Sequence, residues 1–300
     1  MKLRPGPTIL ALCLSLFVCP PLLDAQTISF EELTEFAYPG AHSTNAYGIN
    51  DAGDVVGAMH LDGVDDANGF VRYADGSFSP PIIFPGSDTR DTIATAINNE
   101  GTIAGWYLDS QGVVHGFFIS GGVYTSYDHP NAVFSTHING INDAGDFVGI
   151  YSQTQGIYRG FASVGGRLHD ITIPGVTLAE PSDINNDGDI VGSGSTISDT
   201  AGFRRESRGR LRYPLRSESG AFDMFYGTNE TREIVGQENG TSGLYYGGGT
   251  IYLFYNYPGL INNALTGINR RGVICGYGFD SDNLILYSYL VRRVITRTAE

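Results

Sequence analysis

The side chains able to do chemistry are few and spread along the chain. Six histidines, His42, His60, His115, His129, His137 and His169, stand apart, without the i, i+2 or i, i+4 spacing that would place two of them on one zinc ion. No G-x-S-x-G elbow, phosphate-binding glycine loop or Cys-x-x-Cys pair occurs. A glycosidase needs two carboxylates facing each other across a cleft. Glu180 with Asp88 or Asp223 could supply them, but acidic residues are numerous enough to provide such pairs by chance. Asn185, Asp187 and Asp189 alternate faintly like a calcium loop. An EF-hand places its glycine sixth and a bidentate Glu twelfth, whereas Gly188 is fourth. No cofactor is therefore expected, with Ca2+ kept as the one alternative. Arg204, Arg205, Arg208, Arg210 and Arg212 form a local basic patch, read as a solvated hairpin or a contact for an anionic partner.

The elements that position these residues are announced by composition. The chain has 300 residues, 41 of them Gly, and only 17% are charged, which favours many strands joined by tight turns. The net charge of −14, with Lys2 as the single lysine, makes nucleic acid and anionic lipid poor partners. Met1 to Ala25 has the layout of a secretory signal: Lys2 and Arg4, an apolar run from Ile9 to Cys19, and a small residue before Gln26. That run is too short to span a bilayer, so residues 26–300 are expected to be exported as one domain without a membrane span. Cys13 and Cys19 leave with the signal. Cys275 remains, with no internal partner, as a buried small hydrophobe.

A pattern I-N-x-x-G-x-φ-x-G, with φ apolar, recurs six times. The copies are INDAGDVVG from Ile49, INNEGTIAG from Ile97, INDAGDFVG from Ile141, INNDGDIVG from Ile184, a worn TNETREIVG from Thr228, and INRRGVICG from Ile268. Five are followed by Gly-Phe or Gly-Leu, at Gly69, Gly116, Gly160, Gly202 and Gly243, and several then run through an alternating strand into Pro or Pro-Gly. The I-N-x-x-G core reads as a β-hairpin turn. Its Asn (Asn50, Asn98, Asn142, Asn185, Asn229, Asn269) should bond backbone N–H groups two residues on, while Gly53, Gly101, Gly145, Gly188 and Gly272 take the left-handed conformation. Arg232 replaces the glycine in the fifth copy, so that hairpin is expected to be the most irregular.

Each unit of about 44 residues thus holds four strand-like pieces: A ending in I-N, B after the turn, C at Gly-Phe and D before the proline. Six four-stranded antiparallel sheets around an axis make an all-β, six-bladed β-propeller. The last unit runs out after its third strand, whereas Thr27 to Gly40 is a D-type strand preceding any A strand. The N-terminal strand is expected to complete the last blade and so remove an open edge. A ligand or cation site would lie where the D-to-A and B-to-C connections surround the channel mouth. Asp88, Arg90, His137 and Glu180 are the leading candidates there, with Asp62, Asp65, Asp66, Asp109, Asp280 and Asp282 as further acidic loop residues.

The secretory leader, G-I-N-x-x-G-x-[IV]-V-G, His115-Gly116-Phe117 and strands ending in Pro-Gly together resemble the bacterial extracellular repeats of the HAF family. The likeness covers nearly all of residues 26–300. It implies an extracellular or envelope-associated bacterial protein and brings no catalytic residues with it. The function expected is a non-catalytic binding module for a glycan or protein ligand, in an oligomeric state the sequence leaves open. The alternative is a propeller enzyme acting on polysaccharide.

Overall fold

A computed structural model describes residues 26–86, 91–217, 222–247, 251–280 and 286–297. The signal segment, Asp88, Arg90 and Asp282 lie outside them. Every regular element described is a strand, and no helix is long and apolar enough to cross a membrane. After β1 (Gln26–Phe36) come β2 (Ala41–Ile49), β3 (Val55–Leu61) and β4 (Asn68–Arg72). Their outer flank is made only of two isolated bridges, Gly69 to Ile82 and Arg72 to Phe78. Complete antiparallel meanders follow. The first two are β5 (Thr92–Ile97) to β8 (Val123–Tyr127), through β6 (Ile103–Leu108) and β7 (Val114–Ser120), and β9 (Ser135–Ile141), β10 (Phe147–Thr154), β11 (Ile157–Val164) and β12 (Arg167–Ile171). The next are β13 (Leu178–Ile184), β14 (Ile190–Ser195), β15 (Thr200–Arg205) and β16 (Leu211–Leu215), then β17 (Asp223–Thr228), β18 (Ile234–Glu238), β19 (Ser242–Gly247) and β20 (Ile251–Tyr255). The last group is β21 (Leu260–Ile268), β22 (Val273–Asp280) and β23 (Leu286–Arg297), and its fourth strand is β1, antiparallel to β23 from Gln26 opposite Arg297 to Phe36 opposite Ser288.

The core lies between successive groups. Val56 and Val71 of the first, for example, pack with Ile97, Ile103 and Phe117 of the second. Within each group, repeated glycines let the second strand approach the inner strand and the aromatic beside it closely. A Cβ on Gly57, Gly105, Gly149, Gly192, Gly236 or Gly276 would lie 1.9–2.3 Å from a carbonyl oxygen of the neighbouring inner strand. Phe70, Phe117 and Phe161 lie over the first three of these glycines and are fully buried. Cys275 is also fully buried, its thiol pushed up to about 12 by desolvation.

The turns depart from expectation in one respect. Each repeat asparagine accepts the backbone N–H four residues on, as from Asp54 to Asn50 (2.9 Å) and Thr102 to Asn98 (2.8 Å). Only Asn269 also takes the amide two residues on, from Arg271. A turn closed by a left-handed residue brings the fourth amide, not the second, under the side-chain oxygen. The five turn glycines have φ between 72° and 97°. Arg232 adopts φ 62° and keeps both turn bonds with Asn229, so the fifth hairpin is regular. This conformation costs a side chain about 1–2 kcal/mol, and the arginine makes an ion pair to Asp189 (3.2 Å) from it.

Candidate functional site

The inner strands β2, β5, β9, β13, β17 and β21 line an axial channel, and its turn end is tied by the repeat asparagines. Each donates from Nδ2 to the backbone carbonyl of the next repeat's asparagine. The distances are 3.5 Å from Asn50 to Asn98, then 3.0, 3.1, 2.9 and 3.0 Å along the chain, and 3.0 Å from Asn269 back to Asn50. The cycle closes on itself. A second polar tier adjoins it, where the side-chain oxygens of Asn99, Asp143 and Asn186 accept the amides of Asp51, Asn99 and Asp143, each at 2.8 Å. These groups satisfy one another, which leaves them little capacity for a ligand.

Three residues before each asparagine, every inner strand carries a β-bulge. Tyr47, Thr95, Asn139, Ser182, Tyr226 and Thr266 are skipped in the pairing register. A bulge re-aims the unpaired side chain, and here all six, with Tyr277 of β22, surround an axial cavity of about 260 Å³. Three of the six latch the neighbouring strand. Thr95 donates to the Ile138 carbonyl (2.7 Å), Asn139 to that of Pro181 (2.9 Å) and Thr266 to that of Ala46 (2.9 Å). Tyr47 and Tyr226 reach no neighbouring inner strand, although the Tyr226 hydroxyl donates to Gln237 Oε1 of β18 (3.4 Å), and both border the cavity with Tyr277. Burial raises all three phenols, Tyr226 to about 12, so they are neutral hydrogen-bonding groups at physiological pH.

Two residues further from the turns, the same strand face carries Asn45, Ile93, His137, Glu180, Met224 and Ala264. The residues between these two tiers, such as Ala46, Ile138 and Phe225, are fully buried, while His137 and Glu180 are half-buried against the channel. Burial lowers His137 to about 4, so the ring is neutral at physiological pH, and Trp106 stands edge-on to it with centroids 5.0 Å apart. His137 Nε2 and Asn45 Oδ1 are buried with no hydrogen-bond partner. Desolvation raises the Glu180 carboxyl, which makes no hydrogen bond or ion pair among the described residues and lies near enough to Tyr226 to raise that phenol.

His137 and Glu180 therefore share one tier of the channel. Asp62, Asp109, Asp189 and Asp223 do not join them. Asp62 is on the periphery with His42 (3.5 Å). Asp109 and Asp128 flank His115 at 3.3 and 2.9 Å, forming a latch rather than a metal centre; no His, Cys, Asp and Glu group able to hold a metal occurs among the described residues. Asp189 accepts the Ser207 amide and the Arg232 ion pair, away from the exposed Asp187. Asp223 is buried and accepts from Ser217, so it does not face Glu180 as a catalytic partner. The arginine patch is interrupted, since Arg204 is buried on Glu206 (2.9 Å), which also meets Arg212 (3.4 Å).

Sequence reasoning passed over Tyr47, Tyr226, Tyr277 and Trp106, and also Asp183. Asp183 stands where the other repeats have Gly or Ala. Its oxygens accept the amides of Ile184 and of Thr228 in the next repeat, both at 2.9 Å. Burial outweighs these donors and raises the carboxyl to about 6. Aligning the six copies on their asparagines exposes the signal for the cavity: the column three residues earlier holds only polar or hydroxyl-bearing residues.

No protein-family profile matches the chain, and no curated protein matches it in sequence. Solved structures match it in fold. The chain is similar to AofleA from Arthrobotrys oligospora, 13% identical over 92% of this chain and 91% of that one, with a TM-score of 0.51. A lectin of Aleuria aurantia in complex with α-methyl-L-fucoside is 12% identical over 89% and 98%, with a TM-score of 0.51. A prolyl endopeptidase is 11% identical over 91% of this chain and 43% of its own, with a TM-score of 0.50. Likeness at such identities speaks to architecture alone, and the architecture is a β-propeller.

Proposed function

We propose that the chain is a six-bladed β-propeller of HAF-repeat type, exported by its leader, that binds a glycan in the axial cavity without transforming it. The closed cycle of six asparagine bonds and the pairing of β1 with β23 support the blade count. The observation that carries the binding role is the cavity of about 260 Å³ ringed by bulge-aimed side chains, with phenols facing inward. That volume is just below the range of about 300–1,000 Å³ usual for ligand pockets and suits the end of a saccharide. Phe134 and Phe222, 43% and 46% exposed on connections at the mouth, offer apolar surface for a longer ligand. A glycosidase is less well supported, because Glu180 is the one carboxylate of its tier and Asp223 is turned to Ser217.

Titration calorimetry and thermal shift against a panel of oligosaccharides test the proposal, because a ligand held by the native state alone raises the melting temperature. At least one saccharide should bind, and Tyr47→Ala or Tyr226→Ala should weaken it about tenfold or more. A flat panel, or unchanged affinity in both variants, would remove the cavity from consideration.

A further inference from the structure

We infer that the ligand of the axial cavity carries a protonated amine, as an amino sugar does, with Glu180 as its counter-ion and Tyr47, Tyr226 and Tyr277 as its aromatic wall. This rests on the binding role proposed above and adds the chemistry of the ligand.

The channel tier of Glu180 holds no positive charge. Its other members are Asn45, Ile93, His137, Met224 and Ala264, and His137 is neutral. The cavity below is lined by Tyr, Thr, Asn and Ser side chains. Arg270 stands at the far, turn end, where its Nε lies 3.8 Å from both Asp51 and Glu230. Glu180 is therefore a half-buried carboxylate without a protein donor among the described residues, an arrangement that loses hydration without compensation. An arriving cation restores that loss, whereas an anion would deepen it.

The remaining groups agree. Asn45 donates from Nδ2 to the Tyr47 hydroxyl (3.2 Å) and leaves Oδ1 as a buried acceptor without a donor. An ammonium brings three N–H donors and needs no acceptor of its own. Tyr47 and Tyr277 meet edge to face with centroids 6.2 Å apart, and aromatic walls attract cations through their ring faces. The net charge of −14 draws cationic solutes toward the protein. A neutral sugar could use the phenols but would leave Glu180 unpaired.

The test is calorimetric titration near pH 6 with three tetrasaccharides: one of β-1,4-linked glucosamine, its fully N-acetylated counterpart, and cellotetraose. The glucosamine tetramer should bind about tenfold or more tightly than the other two. That preference should shrink to about twofold in Glu180→Gln, which keeps the side-chain shape. Independently of any variant, affinity for the glucosamine tetramer should fall severalfold between about 20 and about 200 mM salt while that for the acetylated tetramer holds. Equal affinity for all three saccharides overturns the amine assignment and leaves the glycan-binding role intact. An amine preference that persists in Glu180→Gln, or that ignores salt, also overturns it. If none of the three binds, the amine assignment fails, and the wider oligosaccharide panel decides the binding role.

Discussion

At the turn end of the channel one arrangement is made six times; at the mouth, six equivalent positions carry six different residues. The asparagines of the turn end share both bonds, an acceptor for the fourth amide on and a donor to the next blade's carbonyl. The mouth tier, with Asn45, His137 and Glu180 beside Ile93, Met224 and Ala264, repeats nothing and leaves polar atoms without partners. In a ring of repeats, identity across copies marks what holds the ring together, and difference marks what a single partner on the axis could use. The bulge tier between them is divided: Thr95, Asn139 and Thr266 bind blade to blade, while Tyr47 and Tyr226 face the cavity.

Removing β1 should break the framework most severely. It strips β23 of its antiparallel partner and takes away Phe36 and the ring contacts of Phe30 with Tyr245 and Tyr255. A loss on the order of 5 kcal/mol or more, about 10 °C or more in melting temperature, is expected, with self-association through the bared edge. A truncated protein that melts like its parent would show that the ring does not depend on this seam.

Contrasting substitutions sharpen the division. Asn142→Ala removes an acceptor for Asp146 and the donor to Asn185, and should cost about 2–3 kcal/mol in chemical denaturation without changing ligand affinity. Tyr226→Phe should cost under about 1 kcal/mol yet reduce affinity measurably. Equal stability losses in the two would erase the distinction between framework and site.

Two buried groups near the axis run in opposite directions with pH. Asp183, raised to about 6, contributes stability below its unfolded value near 3.8 and loses it as pH rises through 6. His137, lowered to about 4, contributes above its unfolded value near 6.5 and loses it as pH falls through 4. Each effect is on the order of 3 kcal/mol, and they largely offset each other in the parent. Asp183→Gly should therefore destabilise the protein more steeply than the parent on acidification from about pH 7 to 4, and His137→Gln less steeply. Parallel stability curves for parent and variants would contradict both assignments.

The smallest effect belongs to the worn turn. Arg232→Gly exchanges a strained backbone for a relaxed one and gives up the pair with Asp189, so stability should change by less than about 1 kcal/mol. A larger loss would mean that the ion pair, not the turn, maintains this hairpin.

Much of the framework could be read in the residues because its causes are local and repeated. The left-handed glycines, the turn asparagines and the extra N-terminal strand each leave a mark at fixed spacing. The reach of Asn50 and its equivalents to the next blade left none, since a turn asparagine looks the same whether its Nδ2 meets water or a carbonyl. Of the proposed site, His137 and Glu180 were picked out by type and position. Tyr47, Tyr226 and Tyr277 were not, because strand periodicity assigns aromatics to a core, and only alignment of the six copies shows Tyr47 and Tyr226 in a column of polar and hydroxyl-bearing residues. Asp183 was hidden by its neighbourhood: beside the turn it reads as one more solvated acid, whereas the close approach of Gly140 encloses it.

The union of β1 with β23 also sets a timetable. Of the described strands, the first to leave the ribosome pairs with the last one made, so Gln26–Phe36 waits for that partner through the synthesis of all the strands between. Such a ring cannot close while the polypeptide is still growing. A chain of this design is thus open and supple until its final strand appears, and it becomes resistant only once that seam has formed.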